Sequence, residues 1–316
     1  MRFPLELLPD TSRPFDVVGF GENSTDLLAS VRRHPTADSK MPIQYLARLP
    51  GGQVATAMVA CARLGWRARY VGRVGSDPPG RSTLESLQRE GVNISSCAKV
   101  QGATSRFSIL ITSEEQGTRS VLWHRDPRLA WPPSDVPSAA IGEGRVLLVD
   151  GTDMVAAAKA IESAQTAGLK IVVDVESADP GMDDLLRRAD IIIAARGFPA
   201  ELTGIDAPGA ALTALAAEYS DASIVCVTLG EEGSLTRCAG REIRTPAFPI
   251  ACVDSTGSGD VFHAAFIAGW LTAGESAELE EVLRYASAAA ALNCRAFGAW
   301  TASPRADEVE ELLHST

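Results

Sequence analysis

Positive charge is scarce in this chain. Its 316 residues carry 29 Lys and Arg against 40 Asp and Glu, a formal net charge of −11. Such a surface repels polyanions, so neither nucleic acid nor an anionic membrane is expected as a partner. A nucleotide needs only a local anion hole and stays open. Cysteine is sparse too, with six residues at 61, 97, 226, 238, 252 and 294 and no Cys-x-x-Cys pair. Most lie in apolar runs and read as reduced, buried small hydrophobes of a cytoplasmic protein. The four histidines, at 34, 124, 263 and 314, lack metal-ligand spacing. No apolar run reaches the ~18 residues of a spanning helix, and Met1-Arg-Phe-Pro-Leu-Glu6 has no signal-peptide core. Two nucleotide motifs are missing as well. There is no G-x-x-x-x-G-K-[ST], and the first apolar strand lacks G-x-G-x-x-G spacing, which disfavours a P-loop enzyme and a nicotinamide cofactor.

What remains is a chain 46% hydrophobic and 22% charged, enough for a large core. Residues 15–21 read as a buried strand ending in glycine. Segments 27–33 and 43–49 are short and mixed, with Pro35 and Pro42 between them, and read as edge strands. Gly51-Gly52 opens an amphipathic helix over 54–64, followed by a strand over 69–74 and a helix over 79–90. Residues 106–112 and 119–123 flank Glu-Glu-Gln-Gly, a hairpin signal. Apolar strands at 146–150, 170–174, 190–194 and 223–228 then alternate with helical stretches at 154–167, 182–188 and 210–219. That alternation means a parallel sheet covered on both faces. With no low-complexity linker and no repeat, the chain reads as a single α/β domain over 1–316. A small β lid is expected from about 27–49 and 104–124.

The densest chemical signal is Asp254-Ser-Thr-Gly-Ser-Gly-Asp260. A β-rich run ends there and a helix begins. Gly257 and Gly259 have no Cβ, so the N–H groups of Gly257, Ser258 and Gly259 can approach a ligand closely. A helix N-terminus has unpaired N–H groups and favours negative charge, which makes a phosphate seat. Asp260 lies inside that seat, where a carboxylate is awkward unless it takes a proton from an attacking hydroxyl. The plain alternative is a capped, glycine-rich helix start.

Ligands of doubly wound sheets bind beyond the carboxyl ends of the strands, and several polar groups fall there. Asn23 and Asp26 fit either vicinal sugar hydroxyls or an Asx turn. Gly51, Gly52 and Gln53 fit a ligand at a helix N-terminus or a plain helix start. Thr228, Gly230 and Gly233 fit a nucleotide or a glycine turn, and Arg106 and Arg125 fit an anion or solvent.

Taken together, the assembly resembles the ribokinase-like (PfkB) family of carbohydrate and nucleoside kinases over nearly the whole chain. Asp254–Asp260 is similar to the family's second signature, D-T-x-G-A-G-D. Gly51-Gly52 through Gly65, followed by Val71-Gly-Arg-Val-Gly-Ser-Asp77, is similar to the first. Val227-Thr-Leu-Gly-Glu-Glu-Gly233 resembles the nucleotide-side turn, and 286–299, with Asn293 and Gly298, the helix and loop that border adenine. The resemblance implies a three-layer αβα ribokinase-like fold and MgATP-dependent transfer to a sugar hydroxyl, usually primary. It implies Asp260 as general base, a sugar site at Asn23, Asp26, Gly51, Gly52, Gln53 and Arg106, and a monovalent-cation (K+) loop near Asp254. Exposed edges on the expected lid invite pairing with a second subunit, so a homodimer formed through the lid is expected.

Two departures stand out. The family's N-x-x-E is Ala195-Arg-Gly-Phe198 here, so that motif is not available for Mg2+, which is expected to be held mainly through ATP, and the Asn of G-G-x-x-x-N is Thr56. Gly259–Ala264 and Ala291-Leu-Asn-Cys294 resemble the ketohexokinase and sulfofructose-kinase branch, a hint of a keto-sugar that can carry negative charge. A nucleoside kinase and a weakly catalytic sugar or nucleotide sensor are the alternative readings.

Overall fold

The computed structural model describes residues 1–315. In chain order the first half contains β1 (Val17–Phe20), β2 (Ser24–Val31), β3 (Tyr45–Gly51), α1 (Gln53–Arg63), β4 (Ala68–Val71), β5 (Arg73–Gly75), α2 (Pro78–Arg89), β6 (Ala98–Val100), β7 (Phe107–Ser113), β8 (Thr118–His124) and α3 (Ser138–Ile141). The second half contains β9 (Val146–Asp150), α4 (Met154–Ala167), β10 (Lys170–Val175), α5 (Met182–Leu186), β11 (Ile191–Ala195), α6 (Phe198–Thr203), α7 (Pro208–Glu218), β12 (Ile224–Thr228), β13 (Ser234–Cys238), β14 (Arg241–Thr245), α8 (Ser258–Ala273), α9 (Leu279–Asn293) and α10 (Ala306–Ser315).

Eight strands form one sheet in the order β14-β13-β12-β11-β10-β9-β1-β4. From β12 to β4 all neighbours are parallel, and β13 and β14 are added antiparallel at one edge. The central strands read VLLVD, IVVDV, IIIAA and IVCVT because both of their faces are covered. One core, with Val54, Met58, Phe266 and Trp270, packs α1, α8 and α9 on one face. The other, with Leu147, Ile161, Leu185 and Leu212, packs α4, α5 and α7 on the opposite face. This is the expected three-layer αβα arrangement. The chain runs from β1 to β4 on one side and returns to β9 on the other. The crevice at the carboxyl ends of β1 and β9 is therefore the switch point where ligands bind in such sheets.

A second sheet stands apart, with order β3-β2-β7-β8. It corrects one expectation, because β2 is an interior strand, antiparallel to β3 and parallel to β7. The short, mixed segment 27–33 with prolines after it has the look of an edge, but β2 starts earlier, at Ser24, and its small polar residues lie inside the sheet. There they satisfy one another, as when Ser24 Oγ donates to Asp26 Oδ1 at 2.6 Å. The outer strands β3 and β8 are largely exposed. Cysteine placement needs a similar correction. Cys61, Cys226, Cys238 and Cys294 are buried, but Cys97 is half-buried and Cys252 exposed, and all six thiols are free. Among the described residues no helix is long and apolar enough to cross a membrane.

Candidate active site

The turn before α8 is built so that only glycine fits at its pivot. Gly257 has φ +76°, and a Cβ there would lie 2.1 Å from the carbonyl oxygen of Ala299. Asp254 pins the same turn: one carboxylate oxygen accepts from Thr256 N and Oγ1 at 3.0 and 2.7 Å, the other from Gly298 N at 2.9 Å. Asn293, placed by resemblance at the nucleotide, is fully buried. Its amide donates to Thr256 O and Ala299 O at 3.1 and 3.0 Å, so it braces the two loops against each other. Gly259 differs from Gly257, since a Cβ there would meet nothing within 4 Å. The Ser258 N–H donates to Ser255 O at 3.2 Å.

Asp260 follows in the first turn of α8 and joins a group of acids that the strand ends bring together. In the parallel register of β9 and β10, Asp150 lies opposite Asp174. Like charges facing across strands repel, and burial amplifies the effect. The Asp260 carboxyl is pushed well above the aspartate range by burial, then by Asp174 and Glu176, with Arg119 opposing. Asp174 is raised likewise by burial and then by Glu176 and Asp150. Glu176 is itself raised by loss of water around its carboxyl, although the residue as a whole is exposed at the mouth. Burial takes Asp150 to about 6, even though it accepts Glu22 N at 2.7 Å and Thr152 N at 3.0 Å.

His263 lies one turn further along α8. Nδ1 is 2.6 Å from Gly259 O, and Nε2 is 3.2 Å from Ile193 O and 3.3 Å from Asp174 Oδ1. Burial lowers its pKa, which favours neutral imidazole. A neutral ring can donate to only one of the two carbonyls: with Nδ1–H donating to Gly259 O, Nε2 accepts a hydrogen bond from Asp174 when that acid is protonated.

Removing Asp174 tests this coupling. Asp174→Asn takes away the largest neighbouring charge that raises Asp260, so the acid limb of the kcat/KM pH profile is expected to move to lower pH. An unmoved limb excludes the coupling.

The residues expected at the sugar converge beyond β1. Asp26 is buried, and its carboxyl is raised to about 6 by burial, partly offset by bonds from Ser24 and Ser108. A Cβ on Gly51 would sit 2.0 Å from Asp26 Oδ2, and one on Gly52 2.4 Å from Asn23 Cα. The double glycine thus lets the start of α1 close on the end of β1. Asn23 Nδ2 donates to Tyr70 Oη at 2.7 Å and to Arg73 O at 3.0 Å. Gln53 Nε2 reaches Asp174 Oδ2 at 3.4 Å, linking the sugar side to the acids. Thr56 is fully buried with its hydroxyl unpartnered. Arg106 pairs with Glu22 and lies 4.9 Å from the Trp123 ring, and burial lowers its pKa to about 10.

Of the residues expected at the nucleotide, Thr228 donates from Oγ1 to Ala194 O at 3.4 Å and Gly230 is exposed. Gly233 has a structural cause, because a Cβ would sit 1.9 Å from Thr245 O.

Asp150, Asp174, Glu176, His263, Arg73 and Arg119 were not singled out in the sequence. A signal existed for the aspartates: each sits at or next to the carboxyl end of an otherwise apolar strand.

The chain is similar to known proteins over most of its length. Residues 15–306 match the model of the pfkB family carbohydrate kinases. A ribokinase of Bacillus subtilis is 27% identical over 317 residues, covering 93% of this chain and 97% of that protein. A fructokinase of Klebsiella pneumoniae is 29% identical, covering 85% and 93%. The structure of Arabidopsis thaliana ribokinase complexed with ribose and ATP superposes with TM-score 0.80 at 25% identity, covering 95% of this chain and 98% of that one. With its glycine-pivoted anion turn, the acid inside it and a family match over most of its length, this chain belongs to the pfkB family of carbohydrate kinases, enzymes that transfer a phosphoryl group to an alcohol acceptor.

Proposed function

We propose that the protein moves the γ-phosphoryl group of ATP to a primary hydroxyl of a small sugar, with Asp260 as general base. The carrying observation is Asp260 in the first turn of α8, beside the open Gly259 position and with a raised pKa. The sugar hydroxyl gives its proton to the Asp260 carboxylate as its oxygen attacks phosphorus. The new P–O bond forms, the bond to the bridging oxygen breaks, and ADP leaves. The N–H groups of the Gly257–Gly259 turn and the dipole of α8 receive the transferred charge. Arg119 adds a cation from the second sheet, its Nη1 donating to Ser255 Oγ at 2.8 Å. Asn23, Asp26, Gly51, Gly52, Gln53 and Arg106 line the sugar side, and Thr228, Gly230 and Gly298 border the nucleotide.

Mg2+ neutralises phosphate charge and is held mainly by the nucleotide with one or two protein carboxylates. Asp174 and Glu176 would fit that role: both are hard oxygen donors, Asp174 is raised by burial and by Glu176, Glu176 by burial, and a cation would relieve them. They stand in for the missing N-x-x-E. A K+ beside the Asp254 loop belongs to the same proposal and is tested by replacing K+ with a large organic cation.

The sheet of β2, β3, β7 and β8 is proposed as a lid that excludes water from the phosphoryl group. Leu46, Val121, Leu122 and Trp123 on its outer strands are 57%, 49%, 54% and 63% exposed. Exposed apolar residues on open edges fit a homodimer formed lid to lid, in the cytoplasm where ATP is available. Leu46→Asp combined with Leu122→Asp is expected to convert a dimer to a monomer in sedimentation; a wild-type monomer at micromolar concentration overturns the dimer.

ATP consumption over aldoses, ketoses, sugar phosphates and nucleosides tests the activity itself. A sugar-dependent release of ADP supports it, and its absence with every sugar overturns it.

A further inference from the structure

A pocket of about 370 Å³, including its open mouth, lies at the switch point beside Asn23, lined by Phe20, Arg73, Arg106, Arg125 and Trp131 among others. Its charge is unlike that of the rest of the acidic molecule. We infer that this pocket binds an anionic substituent of the sugar, so that the substrate is a sugar acid, sugar phosphate or sugar sulfonate rather than a neutral sugar. The inference rests on the sugar-kinase reading above.

Four observations carry it. The first is register. Phe107 pairs with His124 in the β7–β8 hairpin, so Arg106 and Arg125 flank the same pair at the end of that sheet. Like charges held opposite each other cost stability unless something negative lies between them.

The second is unused donor capacity. Arg73 Nε and Arg106 Nε are buried and have no acceptor. A guanidinium fork matches a carboxylate or phosphate in a two-point bond.

The third is the charge balance. Arg106 meets Glu22, and Arg125 Nη2 lies 3.4 Å from Asp153 Oδ2, while Arg73 gives its Nη1 to Ala130 O and stacks 5.2 Å from the Trp131 ring. Glu22 and Asp153 line the pocket and Asp150 lies behind Glu22, within reach of Arg106 and Arg125, whereas Arg73 alone of the three guanidinium groups meets no carboxylate.

The fourth is placement. The Arg73 carbonyl accepts from Asn23 Nδ2, and Asp150, which bonds Glu22 N at the rim, is one of the acids grouped around Asp260. The site is polar end to end, acidic at the proposed base and basic at the far side. A substrate with a free primary hydroxyl at one end and an anion at the other fits that polarity.

The test compares ATP turnover by the full chain with fructose, fructose 6-phosphate, 6-deoxy-6-sulfofructose and 2-keto-3-deoxygluconate, each of which has a free primary hydroxyl. At least one anionic sugar is expected to exceed fructose in kcat/KM by roughly tenfold or more, the size of a charged hydrogen bond. Which one does so separates phosphate, sulfonate and carboxylate. Arg125→Met and Arg73→Met are each expected to raise KM for that sugar by about 10-fold or more with a smaller change in kcat, and Arg125→Lys to recover part of it. Melting temperatures near wild type identify the variants that report on binding. If fructose is turned over as well as every anionic sugar, or if both Met variants lower charged and neutral turnover equally, the anion site is wrong and the kinase reading stands. If no sugar of either kind consumes ATP, the kinase reading fails and this inference falls with it.

Discussion

Asp260→Asn is expected to lower kcat by a factor of roughly 10²–10⁴, the range for loss of a positioned base, with ATP affinity near normal. The same change is expected to raise the melting temperature of the ligand-free protein at mildly alkaline pH. Asp260 is forced to ionise among Asp174, Glu176 and Asp150, and the amide removes that repulsion. The sign follows from the raised pKa. The folded state holds the Asp260 proton more tightly than the unfolded chain does, so ionisation costs the wild type stability as pH climbs above the ordinary aspartate value of 3.8. The stability gap between variant and wild type therefore opens with rising pH, is complete above the folded pKa, and closes in acid. Lost activity paired with gained stability is the pattern of a functional group held at a cost to the fold. Activity within a few-fold of wild type removes Asp260 as the base. A melting temperature that falls at every pH shows that its role is structural.

The two glycines of the anion turn are expected to part company. Gly259→Val should keep a melting temperature near wild type, because a Cβ there meets no protein atom within 4 Å. The space it fills is where the phosphate would lie, so kcat/KM for ATP should fall by about 100-fold or more, comparable with losing an oxyanion-hole donor. Gly257→Ala should instead destabilise the protein. Its φ is +76° and the new methyl would strike the Ala299 carbonyl, breaking the contact between the turn and the loop after α9. Thermal melts and initial rates on both variants decide the matter. If Gly259→Val melts early and its folded fraction works normally, the phosphate does not sit there.

The sequence alone was sufficient for the α/β architecture and for the glycine-rich turn that opens α8. Both are local in origin: apolar strands alternating with amphipathic helices require a covered parallel sheet, and a glycine-rich turn before a helix exposes unpaired N–H groups. Asp260 was legible because it stands within that turn. Its surroundings were not. Asp150, Asp174 and Glu176 come from two other strand ends, and only the register of β9 against β10 places Asp150 opposite Asp174. The raised pKa values follow from that meeting and from burial, neither of which has a local pattern. Arg106 and Arg125 stand 19 residues apart, and only the pairing of Phe107 with His124 turns them toward one pocket with Arg73. The interior position of β2 was hidden for the same reason, since it depends on the pairing of β2 with β7, a segment far along the chain. Periodicity and turn chemistry act over a few residues and can be read along the chain. Charge clusters, close approaches such as Gly51 to Asp26, and buried polar pairs depend on which distant segments the sheet brings side by side.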